Sequence, residues 1–173
     1  MGRNLGPKAL TVKRGPGQCR AMAEQQTFMD LALDLAEKAA QAGEVPVGAV
    51  LVDSASGEVV AAAHNLTETD GDPTAHAELL VIRQGAKALG AARLPSCDLY
   101  VTLEPCAMCA QAIAFARLRR LYYGAPDAKG GGVEHGAQVF AQATCHHRPE
   151  LYGGIAEARA AQLLKKFFAE RRS

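Results

Sequence analysis

The sequence predicts an α/β fold of three layers, an α/β/α sandwich. Stretches with strand character alternate along the chain with stretches that carry a helical apolar stripe. A length of 173 residues, 49% hydrophobic and 21% charged, suits one domain around a single buried core. The run from Val45 to Asp53 reads as a buried strand, the kind a sheet covered by helices contains.

The first 26 residues are rich in Gly, Pro and basic side chains and lack periodicity, so they read as a disordered basic extension ahead of a domain at 27–173. Residues 1–21 hold Arg3, Lys8, Lys13, Arg14 and Arg20 and no acid, so the remainder carries −4 where the whole chain carries +1. Bulk charge therefore gives no support for nucleic-acid binding, and any such role rests on local patches. Met22 stands just before the first regular helix, as an alternative start.

Thr27 and Asp30 form an acidic variant of the capping box. Phe28, Leu31, Leu35, Ala39 and Ala42 supply a helical stripe that Gly43 stops. After the buried strand, 54–57 supplies turn chemistry and 58–64 a hairpin partner. A loop over 65–74 leads to a helix near Ala75 to Leu89. Residues 99–103 form a strand. Pro105 opens a helix running to about Arg117. Residues 121–124 are a short strand, Gly130, Gly131 and Gly132 mark a flexible loop, and Ile155 to Glu170 are strongly helical.

No apolar run approaches the roughly 20 residues of a membrane helix, and no secretory signal pattern opens the chain. Five cysteines, two of them in a C-x-x-C, favour metal binding in a reducing compartment over a disulfide framework. The expected location is the cytoplasm.

Two short motifs carry the chemistry: His76-Ala77-Glu78 and Pro105-Cys106-Ala107-Met108-Cys109. They offer three zinc ligands, His76, Cys106 and Cys109, and one carboxylate that need not be a ligand. A structural zinc site closes with four protein ligands, whereas a catalytic one keeps three and leaves a place for water. H-x-E followed by P-C-x-x-C is the signature of zinc-dependent deamination, with the Glu as proton carrier. Glu78 is the expected carrier, taking a proton from water and returning it to the ring nitrogen and departing amine. Cys106 and Cys109, three apart at a helix start, should point to one side, their thiolates favoured by the helix N-terminus. His76 should begin its helix in the same way. Cys19, Cys97 and Cys145 have no partner motif, and His146-His147 are adjacent residues that rarely share a metal.

These motifs and their flanks resemble the bacterial tRNA-specific adenosine deaminases. The resemblance spans about Thr27 to Arg172. It includes Glu44-Val-Pro-Val-Gly-Ala-Val50, Asp72-Pro-Thr-Ala-His-Ala-Glu78, Thr102-Leu-Glu-Pro-Cys-Ala-Met-Cys109, Gly124-Ala-Pro-Asp-Ala-Lys129 and Phe167-Phe-Ala-Glu-Arg-Arg172. It implies the cytidine deaminase-like sandwich with a central five-stranded mixed sheet, and one zinc ion per subunit of a homodimer. The reaction it implies is hydrolysis of the wobble adenosine (position 34) of a tRNA anticodon to inosine. Asn65, Val47 and Ala77 would lie about the flipped adenosine, and Asp127 near the RNA backbone and ribose. Asn65 could equally cap or turn its loop, Asp127 could be a turn residue, and Val47 plain core. At the C-terminus, Phe168, Arg171 and Arg172 are expected to help hold the anticodon stem-loop, while Leu163, Leu164 and Phe167 pack. A deaminase of free nucleobases or nucleosides, of guanine or cytosine type, would use the same zinc centre without needing RNA. A non-enzymatic zinc module would need a fourth protein ligand.

Overall fold

The computed structural model describes residues 12–13 and 19–172. Arg3, Lys8 and Arg14 of the basic extension lie outside the described residues. In chain order the elements are β1 (Val12–Lys13), α1 (Cys19–Gln41), β2 (Gly48–Asp53), β3 (Val59–His64), α2 (Ala77–Ala88), β4 (Cys97–Leu103), α3 (Ala107–Ala116), β5 (Arg120–Ala125), β6 (Glu150–Gly153) and α4 (Glu157–Glu170). One mixed sheet runs in the order β1-β6-β5-β4-β2-β3. Strand β2 is antiparallel to both β3 and β4, while β4, β5, β6 and β1 are mutually parallel neighbours. The five-stranded core of the prediction is β2–β6, and β1 adds two residues at its edge.

Alternation along the strands sorts the core into two layers. Ala49, Leu51, Leu99, Val101, Leu121 and Tyr123 face α2 and α3, where they meet Val81 and Ile113. Val50, Val52, Tyr100 and Tyr122 face α1 and α4, where they meet Met29, Ala32, Leu33 and Ala160. Helices on both faces complete the three layers.

The first helix departs from its prediction twice. It begins at Cys19, not Thr27, so Thr27 sits inside the helix rather than at its start. Ala, Met, Glu, Gln and Arg fill 20–26 and are strong helix formers, which lets the helix extend without an apolar stripe. The extension expected to be disordered thus contributes β1 and the first turns of α1. The buried face also differs: Met29, Ala32, Leu33, Ala36 and Ala39 point inward, while Leu31 is 42% exposed. The cause is a close approach. A Cβ on Gly48 would lie 2.0 Å from the Ala32 carbonyl oxygen and 2.7 Å from the Ala36 nitrogen. The alanine side of α1 is the side that can sit this near β2. Gly48→Ala is therefore expected to lift α1 and destabilise the fold by about 3 kcal/mol, the upper range for overpacking. Thermal unfolding of the variant checks this, and an unchanged midpoint would contradict the close approach.

Strand β6 was missing from the residue-level prediction. Its four residues follow Pro149 and are too short to display alternation. Strand β2 starts at Gly48 rather than Val45, because the Val47 N–H turns back onto the Val45 carbonyl. The glycine run at 130–132 is no flexible loop: Gly131 and Gly132 are buried. A Cβ on Gly131 would lie 2.5 Å from the Asp127 carbonyl oxygen, and one on Gly132 2.5 Å from the Ala107 nitrogen.

Candidate active site

The residues of the two motifs meet where two helices begin. His76 is the N-cap of α2 and Cys106 the N-cap of α3, both with extended backbone and neither making a side-chain capping bond. Helix α3 thus starts at Ala107, two residues beyond Pro105. The proline biases Glu104 away from helical dihedrals, so β4 ends there and the chain turns before the helix begins. Cys109 is then the third helical residue and faces the same side as Cys106.

The Nδ1 atom of His76 lies 3.7 Å from the Cys106 Sγ and 3.5 Å from the Cys109 Sγ. All three donor atoms fall within 4.8 Å of one another. A tetrahedral zinc with ordinary bond lengths puts N and S ligands ~3.5 Å apart and two sulfurs ~3.8 Å apart. The donor set and its spacing fit that ion. Among the described residues the cluster comprises these three side chains, so no fourth protein ligand closes it. The hydrogen bond from Cys109 pulls the Cys106 thiol down to about 4, with His76 assisting. The same bond and burial push the Cys109 thiol up. One thiolate is thus already favoured at the paired helix ends.

Glu78, on the first turn of α2, is 3% exposed. Burial raises its carboxyl above the ordinary range, and its Oε2 has no hydrogen-bond partner. The side chain looks into a cavity of about 280 Å³, shared with His76, Cys106, Asn65, Val47 and Asp127. A larger concavity of about 560 Å³ lies between α1 and α4, but its lining contains no Cys or His. Chemistry rather than size singles out the smaller one.

Asn65 accepts the Ala77 N–H on Oδ1 at 2.9 Å and gives its own N–H to the Val47 carbonyl at 3.0 Å. It caps α2 and lines the cavity at once, with its amide NH2 left over. Ala77 itself is buried beneath the helix start and is not part of the cavity lining. Val47, with Val45 and Leu103, supplies the apolar wall. Asp127 closes a turn by accepting the N–H groups of Lys129 and Gly130 at 3.0 Å each, and also lines the rim.

Phe168, Arg171 and Arg172 lie at the end of α4, outside the cavity lining. Phe168 is 44% exposed. The Arg171 guanidinium donates to the Gly43 carbonyl and sits 4.3 Å above the Phe167 ring. Gly43 is two residues before Val45, so α4 ends beside the segment that forms the apolar wall. The His147 Nε2–H donates to the Leu118 carbonyl, 2.7 Å away, and His147 belongs to no metal cluster among the described residues.

Two acids escaped the residue-level reading. Glu44 and Glu104 are fully buried and accept backbone N–H groups from the loops around the cavity. Burial works against their charge, but those N–H bonds outweigh it and hold both carboxyls below the ordinary range. A glutamate beside a Pro-Cys turn was the available signal for Glu104.

Residues 22–125 match the family model for the cytidine and deoxycytidylate deaminase zinc-binding region. The chain is 57% identical over 151 residues to the tRNA-specific adenosine deaminase of Agrobacterium fabrum, covering 87% of this chain and 98% of that protein. A solved structure from work on A-to-I editing by tRNA:A34 deaminases at the wobble position superposes with a TM-score of 0.77 at 57% identity, over 80% of this chain and 99% of that one. A guanine deaminase from Nitrosomonas europaea shares the fold, with a TM-score of 0.72 at 21% identity over 93% of this chain and 97% of that one.

Proposed function

This chain belongs to the zinc-dependent cytidine and deoxycytidylate deaminase family, among its tRNA-specific adenosine deaminases, and we propose that it hydrolyses adenosine 34 of a tRNA anticodon to inosine and ammonia. The observation that carries the reading is the buried Glu78 carboxylate, its Oε2 without a hydrogen-bond partner, beside a three-ligand cluster.

His76, Cys106 and Cys109 would hold one Zn2+, which supplies an open position and makes water acidic enough to attack carbon at neutral pH. Glu78 accepts the proton of the attacking water. It delivers that proton to the purine N1, then takes the remaining proton of the added hydroxyl and passes it to the leaving amine. Asn65, with Oδ1 committed to α2, presents its amide NH2 to the acceptors of the base. Val47 packs against the ring, Ala77 fixes the α2 start to Asn65, and Asp127 meets the ribose and backbone at the rim. The base must leave its stack to enter this pocket.

Phe168, Arg171 and Arg172 help hold the stem-loop, by aromatic contact and phosphate contact. Arg172 is exposed, while Arg171 also ties α4 to Gly43. Arg172→Ala is expected to flatten the salt dependence of RNA affinity by about 0.7 to 0.9 in log–log slope. An unchanged slope would place RNA binding elsewhere.

The working unit is a homodimer. Phe115 on α3 is 72% exposed and Met108 36%, and Leu79 and Ile82 of α2 share a groove with Phe115. Such a patch on a small domain favours a partner surface, and sedimentation of the intact chain tests it. The compartment is the cytoplasm, in keeping with free thiols at Cys97, Cys106, Cys109 and Cys145. Among the described residues no helix is long and apolar enough to cross a membrane.

The deciding experiment incubates the zinc-loaded protein with an A34-containing anticodon stem-loop and assays inosine. Ammonia released from free guanine or cytosine, with none from RNA, would replace this reading with a free-base deaminase.

A further inference from the structure

The cavity has two loop walls, and each hangs on a buried carboxylate. On one side Glu44 accepts from the Thr67 hydroxyl at 3.1 Å and from the N–H groups of Glu68 at 3.0 Å and Thr69 at 2.7 Å. On the other, Glu104 Oε1 accepts the N–H groups of Val133 at 3.1 Å, Glu134 at 2.8 Å and His135 at 3.0 Å. Its Oε2 takes the Asp127 N–H at 2.9 Å and faces the His135 Nδ1 at 2.7 Å. A carboxylate offers about four lone-pair sites, so five donors saturate Glu104. Neither oxygen is left for substrate or proton traffic, in contrast to Glu78.

The held segment reaches the reaction centre by two further links. Gly131 pairs with Cys106 in an isolated β-bridge, and the Gly132 N–H donates to the Pro105 carbonyl at 2.8 Å. Asp127 and Gly130, both lining the cavity, lie within it. We propose that Glu104 is the positioning residue of the substrate pocket: by clamping 127–135 it sets Asp127 and Gly130 against the bound nucleoside. It governs RNA binding rather than the chemical step. This rests on the deaminase reading above.

Glu104→Gln separates the bonds. The amide oxygen can still serve the three N–H groups at 133–135, and the new NH2 can donate to His135 in its other tautomer. Only the Asp127 N–H then meets a donor instead of an acceptor. Losing one such buried bond is expected to raise KM for the anticodon stem-loop about tenfold. Zinc should stay at one per chain. Asp98→Asn serves as comparison. Asp98 pairs with Arg119 through two bonds of 2.8 and 2.6 Å at the opposite end of β4, so its loss should lower the melting temperature and leave KM alone.

An unchanged KM in Glu104→Gln overturns the proposal. So does zinc loss with a fallen single-turnover rate at saturating RNA, or an equal KM rise in Asp98→Asn. If Glu104→Gln fails to fold, His135→Ala removes one half-exposed donor from the same oxygen and keeps the backbone. Its KM is expected to rise about threefold by loss of part of one bond, and no rise overturns the proposal. Stem-loop affinity is measured beside turnover. A wild type that makes no inosine sinks the deaminase reading, while the affinities of the variants still judge Glu104.

Discussion

Glu78→Gln is expected to abolish turnover while leaving the protein folded, zinc-loaded and able to bind RNA. The amide keeps the shape of a side chain that is 3% exposed, so packing does not change. What it loses is the proton. A general acid–base group contributes roughly 10²- to 10⁴-fold, and the proposed cycle uses Glu78 more than once. A single-turnover rate of inosine formation lower by about 10⁴ is the expected result. The Oε2 atom has no hydrogen-bond partner in the structure, so replacing it with the amide breaks no bond at that atom. A near-normal rate in this variant would show that some other group moves the proton.

Cys109→Ala is expected to remove zinc and activity together. Cys109 is fully buried, so the ligand it supplies cannot be replaced from solvent without opening α3. Substitutions that merely support a metal ligand cost about 10- to 100-fold in affinity, and loss of the ligand itself should exceed that. Metal analysis after dialysis should find the variant empty where the wild type holds one zinc per chain. Thermal unfolding adds a second readout. Because a ligand that binds only the native state stabilises it, the wild type should melt lower after chelation and recover with zinc. The melting temperature of Cys109→Ala should ignore zinc. A variant that retains one zinc, or whose melting still responds to it, would remove Cys109 from the ligand set.

The metal cluster was legible because its chemistry is local: three ligands of two residue types at fixed spacings, each at the head of a helix. The placement of Glu78 beside that cluster was legible for the same reason. Other features depend on distance in space. The inward face of α1 follows Ala32 and Ala36, which the pattern of large side chains did not favour, because Gly48 lets the helix come close. Strand β6 was invisible at four residues. Glu44 and Glu104 looked like ordinary acids, since a carboxylate that gathers backbone N–H groups needs no partner side chain with a sequence signature. Arg171 was read for its charge, and its engagement with Gly43 and Phe167 appears only when α1 and α4 lie side by side.

The close packing of Gly131 and Gly132 has a consequence for how a nucleotide gets in. A wall whose backbone already lies against Asp127 and Ala107 has no slack to swing aside. It also has no room to accept even a methyl group. A receptacle of this kind is set before its guest arrives, so the cost of the encounter is borne by the guest. The anticodon loop must unstack, rotate its nucleotide outward and present it in one pose. Sequences whose loops already splay that nucleotide spend less energy doing so. Selection among RNAs would then be settled in part by how readily each loop deforms, before any protein side chain has read a base.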